Sequence, residues 1–287
     1  ELVLWTGIGW YQTHNKAVVP GGPYVRAQLD VLSVDGTKTL VATDGTWQWA
    51  ESGRRTFGTW RPHQMGGEIV DARTTPANMT TQALNSLAWQ PVVVADIPAH
   101  QATPQMCELN KKTQSFHPVK VHQDEDGWYI YDMGTNFVGF TEVRMPAVAD
   151  GEQVELHYDD YFLTDSVGFR EGLYTDYFIG NGQAGNAFSS KFNYKGYRYL
   201  KLIGLKEALP LEAITASPVR TDYSTNASFA CSDEDMNAIY NMVHNTLKNL
   251  SLGGYIVDCP QIERLGYGGD GNASAMTAQT FFNLAPL

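Results

Sequence analysis

From about residue 24 to residue 205 this chain repeats one pattern. Short runs of alternating apolar and polar residues are each closed by a turn signal, with no helical period between them. Alternation of period two sends every second side chain to one face of a sheet, so each run predicts a half-buried strand. The first run is 24-YVRAQLDVLSV-34, followed by the turn 35-DGTK-38 and the return run 39-TLVATDGTWQWAES-52. An Asp-Gly pair between two such runs predicts a hairpin. Later runs are 128-WYIYDMG-134, 137-FVGFTEVRMPAV-148, 153-QVELHYDDYF-162, 174-YTDYFIGN-181 and 188-FSSKFNYKGYRYLKLIGL-205. Strands at this spacing, without helices between them, predict β-sandwiches rather than a βαβ sheet.

Near residue 228 the period changes. Ser232, with Asp235 three residues on, predicts a capped helix start. Met236, Ile239, Tyr240, Val243, Leu247 and Leu250 follow at helical spacing, and Gly253-Gly254 is expected to end the helix. A second helix is expected over 272–284. Two helices cannot bury their apolar stripes unaided, so they dock on the sheets or belong to a larger helical domain. The polar, proline-bearing stretch 97-IPAHQATPQMCELN-110 predicts a boundary near 105. The expected division is a β-sandwich over 1–105, a second over 106–220, and a helical unit beginning at 221.

Composition narrows the partners. With 43% hydrophobic residues in 287, a sizeable core can be buried and disorder is not the default. The net charge of −11 leaves no basic face for a phosphate backbone, so nucleic acid is not an expected partner. No run reaches transmembrane length, so no membrane partner is expected either. Cys107, Cys231 and Cys259 give neither a disulfide framework nor zinc spacing; Cys231 and Cys259 flank one helix and are either a pair or buried thiols. The histidines have no ligand spacing, and 124-DEDG-127 lacks the spaced acids of a calcium loop and reads as a hairpin turn. No metal and no cofactor are expected. Trp47 and Trp49 share one strand face and read as core, with Trp60 in the same cluster. Asp159, Asp160 and Asp165 read as a solvated strand end.

The stretch 256-IVDCPQIERLGYGGDGNAS-274 is different, because acids otherwise scattered gather there among glycines. Pro260 and the glycines at 266, 268, 269 and 271 oppose a helix, so the run is expected to be an ordered loop between two helices. Asp258, Glu263 and Asp270 can converge on one pocket. Like charges so placed cannot all ionise cheaply, and one is expected to keep its proton. A protonated acid beside ionised carboxylates is what glycoside hydrolysis requires. Arg264 is expected to orient a neighbouring carboxylate, and Tyr267 to offer its ring to a sugar face. Without a pocket, the same residues would be a helix cap at Asp270 and a solvated Glu263–Arg264 pair.

The run 258-DCPQIERLGYGGD-270 resembles the signature of bacterial α-L-rhamnosidases of the inverting six-hairpin type, glycoside hydrolase family 78. The segments 229-FACSDEDMNAIYN-241, 132-DMGTNFVGF-140, 193-NYKGYRYLKLIG-204, 66-GGEIVDAR-73 and 7-GIGWY-11 resemble further parts of that family, so the likeness spans nearly the whole chain. The resemblance implies two β-sandwich, jelly-roll-like domains leading into the first helices of an (α/α)6 barrel. It implies release of terminal α-L-rhamnose from oligosaccharides, polysaccharides or glycosides with inversion. Glu263 takes the position of the general acid, Asp258 and Asp270 those of carboxylates holding rhamnose hydroxyls. Arg264 follows the acid, and Tyr267 stands where most members have Trp. The Asp258-to-Glu263 spacing is one residue shorter than the commonest form. The family's general base is a glutamate far downstream. No acid follows Asp270, so the chain is read as a fragment lacking that base and inactive alone. The implied partner is a rhamnose-containing carbohydrate, and the implied location is periplasmic or secreted. Two other readings stand beside it: a non-catalytic carbohydrate-binding sandwich, and a six-hairpin glycosidase for another sugar.

Overall fold

The computed structural model describes residues 2–7, 24–59, 64–76, 81–96, 103–161 and 174–284. Trp60, His63, Asp165, most of 7-GIGWY-11 and part of the expected seam near 105 lie outside the described residues. The chain is mainly β and then α, as expected. Strands β1 (Gln28–Leu32) and β2 (Lys38–Ala42) form the foreseen hairpin, with the Asp35 carboxylate accepting from the Thr37 N–H in its turn. Strand β3 (Gln48–Trp49) pairs with β6 (Gln90–Pro91), and one helical turn, α1 (Thr81–Asn85), precedes β6. Trp47 and Trp49 do not make the expected core face. Trp47 donates its indole N–H to the Ala42 carbonyl, and Trp49 is 46% exposed, because this two-stranded ribbon has no buried sheet face.

The main sheet is built from β4 (Arg54–Phe57), β5 (Gly67–Asp71), β7 (Asn110–Lys112), β8 (Lys120–Gln123), β9 (Tyr129–Arg144), β10 (Gln153–Asp159), β11 (Thr175–Ile179), β12 (Ala187–Ser189), β13 (Lys195–Ile203) and β14 (Ile214–Thr221). Its order is β4-β5-β11-β10-β13-β9-β14-β7, with β8 and β12 also pairing with β9. All pairings are antiparallel except β5 on β11. Gly67 permits that parallel approach, since a Cβ there would run into the Thr175 carbonyl oxygen. The runs expected as two strands at 128–134 and 137–148 are one strand of 16 residues. Gly134, at φ +78°, lets β9 bulge without leaving the sheet, and the register against β13 shifts between Tyr197 and Tyr199. Asp132 fixes the bulge by accepting from Gly134 N–H and, bidentately, from Arg198 at 2.8 and 3.0 Å. Two motifs that looked separate in sequence are therefore one contact. Strand β14 has no counterpart among the expected runs. Its Pro218, which has no N–H to give, stands where pairing passes from β9 to β7.

Most aromatic residues of the sheet are core. Phe137 and Tyr158 pack on Tyr197 with ring centroids 4.5 and 4.9 Å away, and the Tyr197 hydroxyl bonds Thr141 at 2.6 Å. Beside this core lies a buried set of charges. Glu68, fully buried, accepts three backbone N–H groups from Lys191, Phe192 and Asn193 at 2.8 to 2.9 Å and an ion pair from Arg54 at 2.8 Å. Asp176 Oδ1 accepts from Glu68 N–H and from Lys195 Nζ, and the side chains of Asp176 and Lys195 are both fully buried. Burial pushes the Asp176 carboxyl up and the Lys195 ammonium down, each toward its neutral form.

Helix α2 (Glu234–Leu250) is capped by Asp233, not by Ser232. The Asp233 carboxylate accepts from Asp235 and Met236 N–H at 3.0 and 3.1 Å, which the shorter reach of a cap one residue earlier would not serve. The helix stops before Gly253-Gly254. Those glycines, at φ +68° and +86°, instead turn a small hairpin between β15 (Ser251–Leu252) and β16 (Tyr255–Ile256), a conformation that two successive left-handed residues favour. Helix α3 (Gly268–Phe281) begins four residues before the expected start. Leu247 of α2 meets Ala278, Phe281 and Phe282, whereas Met236, Ile239 and Met242 remain 49 to 63% exposed. Asn245 and Asn249 tie α2 to the β9 bulge through the Asn136 carbonyl.

Glu68→Gln keeps the volume but strands the Arg54 charge in the interior. It is expected to cost about 3–5 kcal/mol of stability in urea denaturation. Lys111→Ala, which breaks an exposed pair with Asp222, is expected to change stability by at most about 1 kcal/mol.

Candidate active site

The acidic loop is set by the elements on either side of it. The β15–β16 hairpin is pinned to the sheet by Gly253 N–H on Asn110 Oδ1 and Gly254 N–H on Thr221 Oγ1. From Val257, which donates to the Leu250 carbonyl, the chain enters the loop. Asp258 closes it. Its N–H donates to the Leu265 carbonyl at 2.8 Å, and its Oδ1 accepts from Leu265 N–H at 2.9 Å. Cys259 Sγ donates to Asp258 Oδ2 at 2.9 Å and accepts from Glu263 N–H at 3.3 Å. Partial burial, then the contact with Asp258, pushes the Cys259 thiol up, so it stays a thiol. All three cysteines are free, so the expected alternative of a Cys231–Cys259 pair is not realised.

Glu263 is half-buried, and its Oε2 accepts the Tyr267 hydroxyl at 2.6 Å. That bond, followed by a little burial and the charges of Glu263 and Asp258, pushes the Tyr267 phenol up to about 12. Tyr267 thus keeps its proton throughout the neutral range, and its ring is 46% exposed. It lines a hollow of about 330 Å3 with Tyr255, Ile256, Gly266, Gly271 and Leu284. Asp270 stands apart, exposed in the first turn of α3, where the helix dipole favours a carboxylate. It does not cap the helix; Tyr267 holds that position without a side-chain cap bond. No hydrogen bond among the described residues joins Glu263 to Asp258 or Asp270.

Arg264 departs from expectation. It is 3% exposed and faces the sheet, not a neighbouring carboxylate or the hollow beside Tyr267. Its guanidinium donates to the Pro260 carbonyl, Asn193 Oδ1 and the Tyr194 carbonyl at 2.7 to 3.0 Å. It lies over the rings of Tyr194 and Tyr174 at 4.3 and 5.2 Å. Arg264 is also the one described non-glycine residue at positive φ, +60°, and these contacts hold that conformation against its cost. Instead of orienting a carboxylate, Arg264 anchors the loop on the sheet. The sheet supports the loop at two further points that the sequence reading did not assign: Tyr174 donates its hydroxyl to the Pro260 carbonyl, and Gln261 donates to Asp160. Asp159 is 2% exposed, so this strand end is not the solvated one expected. Asp124 accepts from Trp128 N–H and pairs with Lys201, which makes 124-DEDG-127 a committed turn. No group of three or more ligating side chains among the described residues is placed to hold a metal.

Three family models match in succession. The α-L-rhamnosidase N-terminal domain matches residues 1–114, the bacterial α-L-rhamnosidase concanavalin-like domain 122–220, and the bacterial α-L-rhamnosidase six-hairpin glycosidase domain 224–287. The chain belongs to the bacterial α-L-rhamnosidase family. An α-L-rhamnosidase of Formosa agariphila is 28% identical over 268 residues, which cover 90% of this chain and 27% of that protein. One of Streptomyces avermitilis is 27% identical over 291 residues, 96% of this chain and 27% of its own length. The chain therefore spans little more than a quarter of these rhamnosidases. The solved rhamnosidase of Dictyoglumus thermophilum shares the fold at a TM-score of 0.79 and 24% identity, covering 90% of this chain and 29% of that one. The Streptomyces avermitilis rhamnosidase complexed with L-rhamnose gives a TM-score of 0.79 at 24% identity, covering 91% and 25%.

Arg264→Ala leaves Asn193 Oδ1 and the Tyr194 carbonyl without the guanidinium donor, and the Pro260 carbonyl with the Tyr174 hydroxyl alone. It is expected to cost about 3 kcal/mol in urea denaturation. Arg264→Lys is expected to recover less than half of that, because an ammonium lacks the planar, spread donors of the guanidinium and the flat face that lies over two rings.

Proposed function

We propose that the protein carrying this chain hydrolyses terminal α-L-rhamnosides with inversion. The observation that carries the reading is Glu263. It is half-buried on a loop braced by Asp258 and Arg264, with its carboxyl beside the exposed Tyr267 ring. In this reading Glu263 donates a proton to the glycosidic oxygen as the C–O bond breaks. The pair of electrons leaves with the aglycone, and a water deprotonated by a second carboxylate adds from the opposite face. That second carboxylate is expected in the six-hairpin domain beyond the 64 residues matched here. Asp258 Oδ2 and Asp270 are the proposed acceptors for sugar hydroxyls, and the Tyr267 ring faces the sugar's apolar side.

The reading divides the chain into sandwiches over 1–105 and 106–220 and the start of the catalytic domain at 221. The substrate is a rhamnose-containing oligosaccharide, polysaccharide or glycoside. No helix among the described residues is long and apolar enough to cross a membrane. A periplasmic or secreted location follows from the reading, since polysaccharides do not cross the inner membrane.

In the full-length protein, Glu263→Gln is expected to lower kcat on an alkyl rhamnoside about 10²–10⁴-fold. A nitrophenyl rhamnoside, whose leaving group needs little protonation, should lose much less. Equal losses on both substrates would remove Glu263 from the acid role. Tyr267→Phe keeps the ring but deletes the 2.6 Å bond. It is expected to lower kcat several-fold with KM nearly unchanged; a change confined to KM would make the hydroxyl a binding group only.

A further inference from the structure

Asp258 has one oxygen to spare. Its Oδ1 accepts the Leu265 N–H at 2.9 Å, in the pair of bonds that closes the loop. Its Oδ2 is left for a sugar hydroxyl, and the donor it meets among the described residues is the Cys259 thiol at 2.9 Å. A carboxylate oxygen carries two lone pairs, so the thiol proton fills one and leaves the other. Where the thiol stands therefore decides where the remaining lone pair points.

The thiol is itself held in place. Its Sγ accepts the Glu263 N–H at 3.3 Å, and the Cys259 carbonyl accepts the Arg264 N–H at 2.9 Å. Arg264 in turn is anchored on Asn193 and the Tyr194 carbonyl. Partial burial, then the bond to Asp258, pushes the thiol up, so its proton stays on sulfur at neutral pH and the donor persists. A thiol is a weak donor to a neutral group, but an ionised acceptor strengthens the bond. Cys259 thus joins the backbone of the proposed acid to the side chain of a proposed sugar acceptor. Such a residue holds two working groups at a fixed spacing without touching the reacting atoms.

We infer that Cys259 is a positioning residue whose thiol aims Asp258 Oδ2 at one sugar hydroxyl. The inference rests on the rhamnoside reading, because it needs Asp258 to hold substrate. The full-length protein is compared as wild type, Cys259→Ala and Cys259→Ser. The readouts are kcat and KM on a nitrophenyl α-L-rhamnoside, calorimetric titration with L-rhamnose, and thermal melting. Alanine and serine leave nearly the same gap, and only serine keeps a group that donates to Asp258 and accepts from Glu263. Cys259→Ala is expected to raise KM and the L-rhamnose Kd about tenfold, while kcat falls by less than about threefold. Cys259→Ser is expected to stay within about threefold of wild type in all three. Equal values for the two variants overturn the proposal, since packing alone would not tell them apart. A loss confined to kcat also overturns it, because the thiol would then act through Glu263 and not through Asp258. Should Cys259→Ala fail to fold, wild type is alkylated with N-ethylmaleimide and read peptide by peptide. L-Rhamnose is expected to slow labelling of Cys259 about tenfold and to leave the exposed Cys231 unchanged. Equal labelling of Cys259 with and without the sugar overturns the proposal. A wild type that neither binds L-rhamnose nor cleaves the rhamnoside overturns the rhamnoside reading itself, and this inference with it.

Discussion

The architecture depends on one buried carboxylate. Glu68 comes from an early strand, yet its acceptors are filled by backbone from residues 191–193 and by Arg54. A charge with no access to water is tolerated only when every lone pair is engaged. Its position is therefore over-determined, and with it the placement of β4 and β5 on the sheet. Asn193, whose backbone serves Glu68, uses its side chain twice more: Nδ2 donates to the Met65 carbonyl, and Oδ1 accepts from Arg264. One short segment of the sheet thus couples the early strands to the acidic loop.

That coupling explains how a glycine-bent loop can hold chemistry. The backbone between Val257 and Tyr267 has no ladder of its own. Its order comes from Asp258 closing the loop's ends and from Arg264 buried between two tyrosines. Glu263 lies next to Arg264 in sequence, so the anchor fixes the side on which its carboxyl emerges. A group that must meet a reacting atom to within a fraction of an ångström needs such a rigid support.

Much of the fold was legible because alternation and helical spacing are direct consequences of a one-sided core. β1–β2, the runs after residue 128 and the stripe of α2 all follow from it. What escaped did so for identifiable reasons. β14 is built from small residues around Pro218 and carries no aromatic signal. The two glycines after α2 fit a helix end and a hairpin turn equally well in sequence, and only the anchors on Asn110 and Thr221 decide between them. The position of Glu263 in its loop was readable, and so was Tyr267 beside it. The inward turn of Arg264 was not, since a charged residue among glycines looks solvated until Tyr174, Tyr194 and Asn193 arrive from elsewhere. Glu68 and Lys195 left one trace: charged residues inside strands otherwise buried on both faces.

The parallel seam between β5 and β11 also sets a timetable for synthesis. Asp176 caps a backbone group 108 residues before it, so β4 and β5 leave the ribosome long before their partner strand exists. At about 5–20 residues per second that wait is roughly 5–20 s. During it, Glu68 lacks its backbone donors at 191–193 and the outer edge of β5 is unpaired. Ribosome-bound chains arrested shortly before residue 175 should accordingly be cut by protease within residues 54–71, and chains released past 195 should resist.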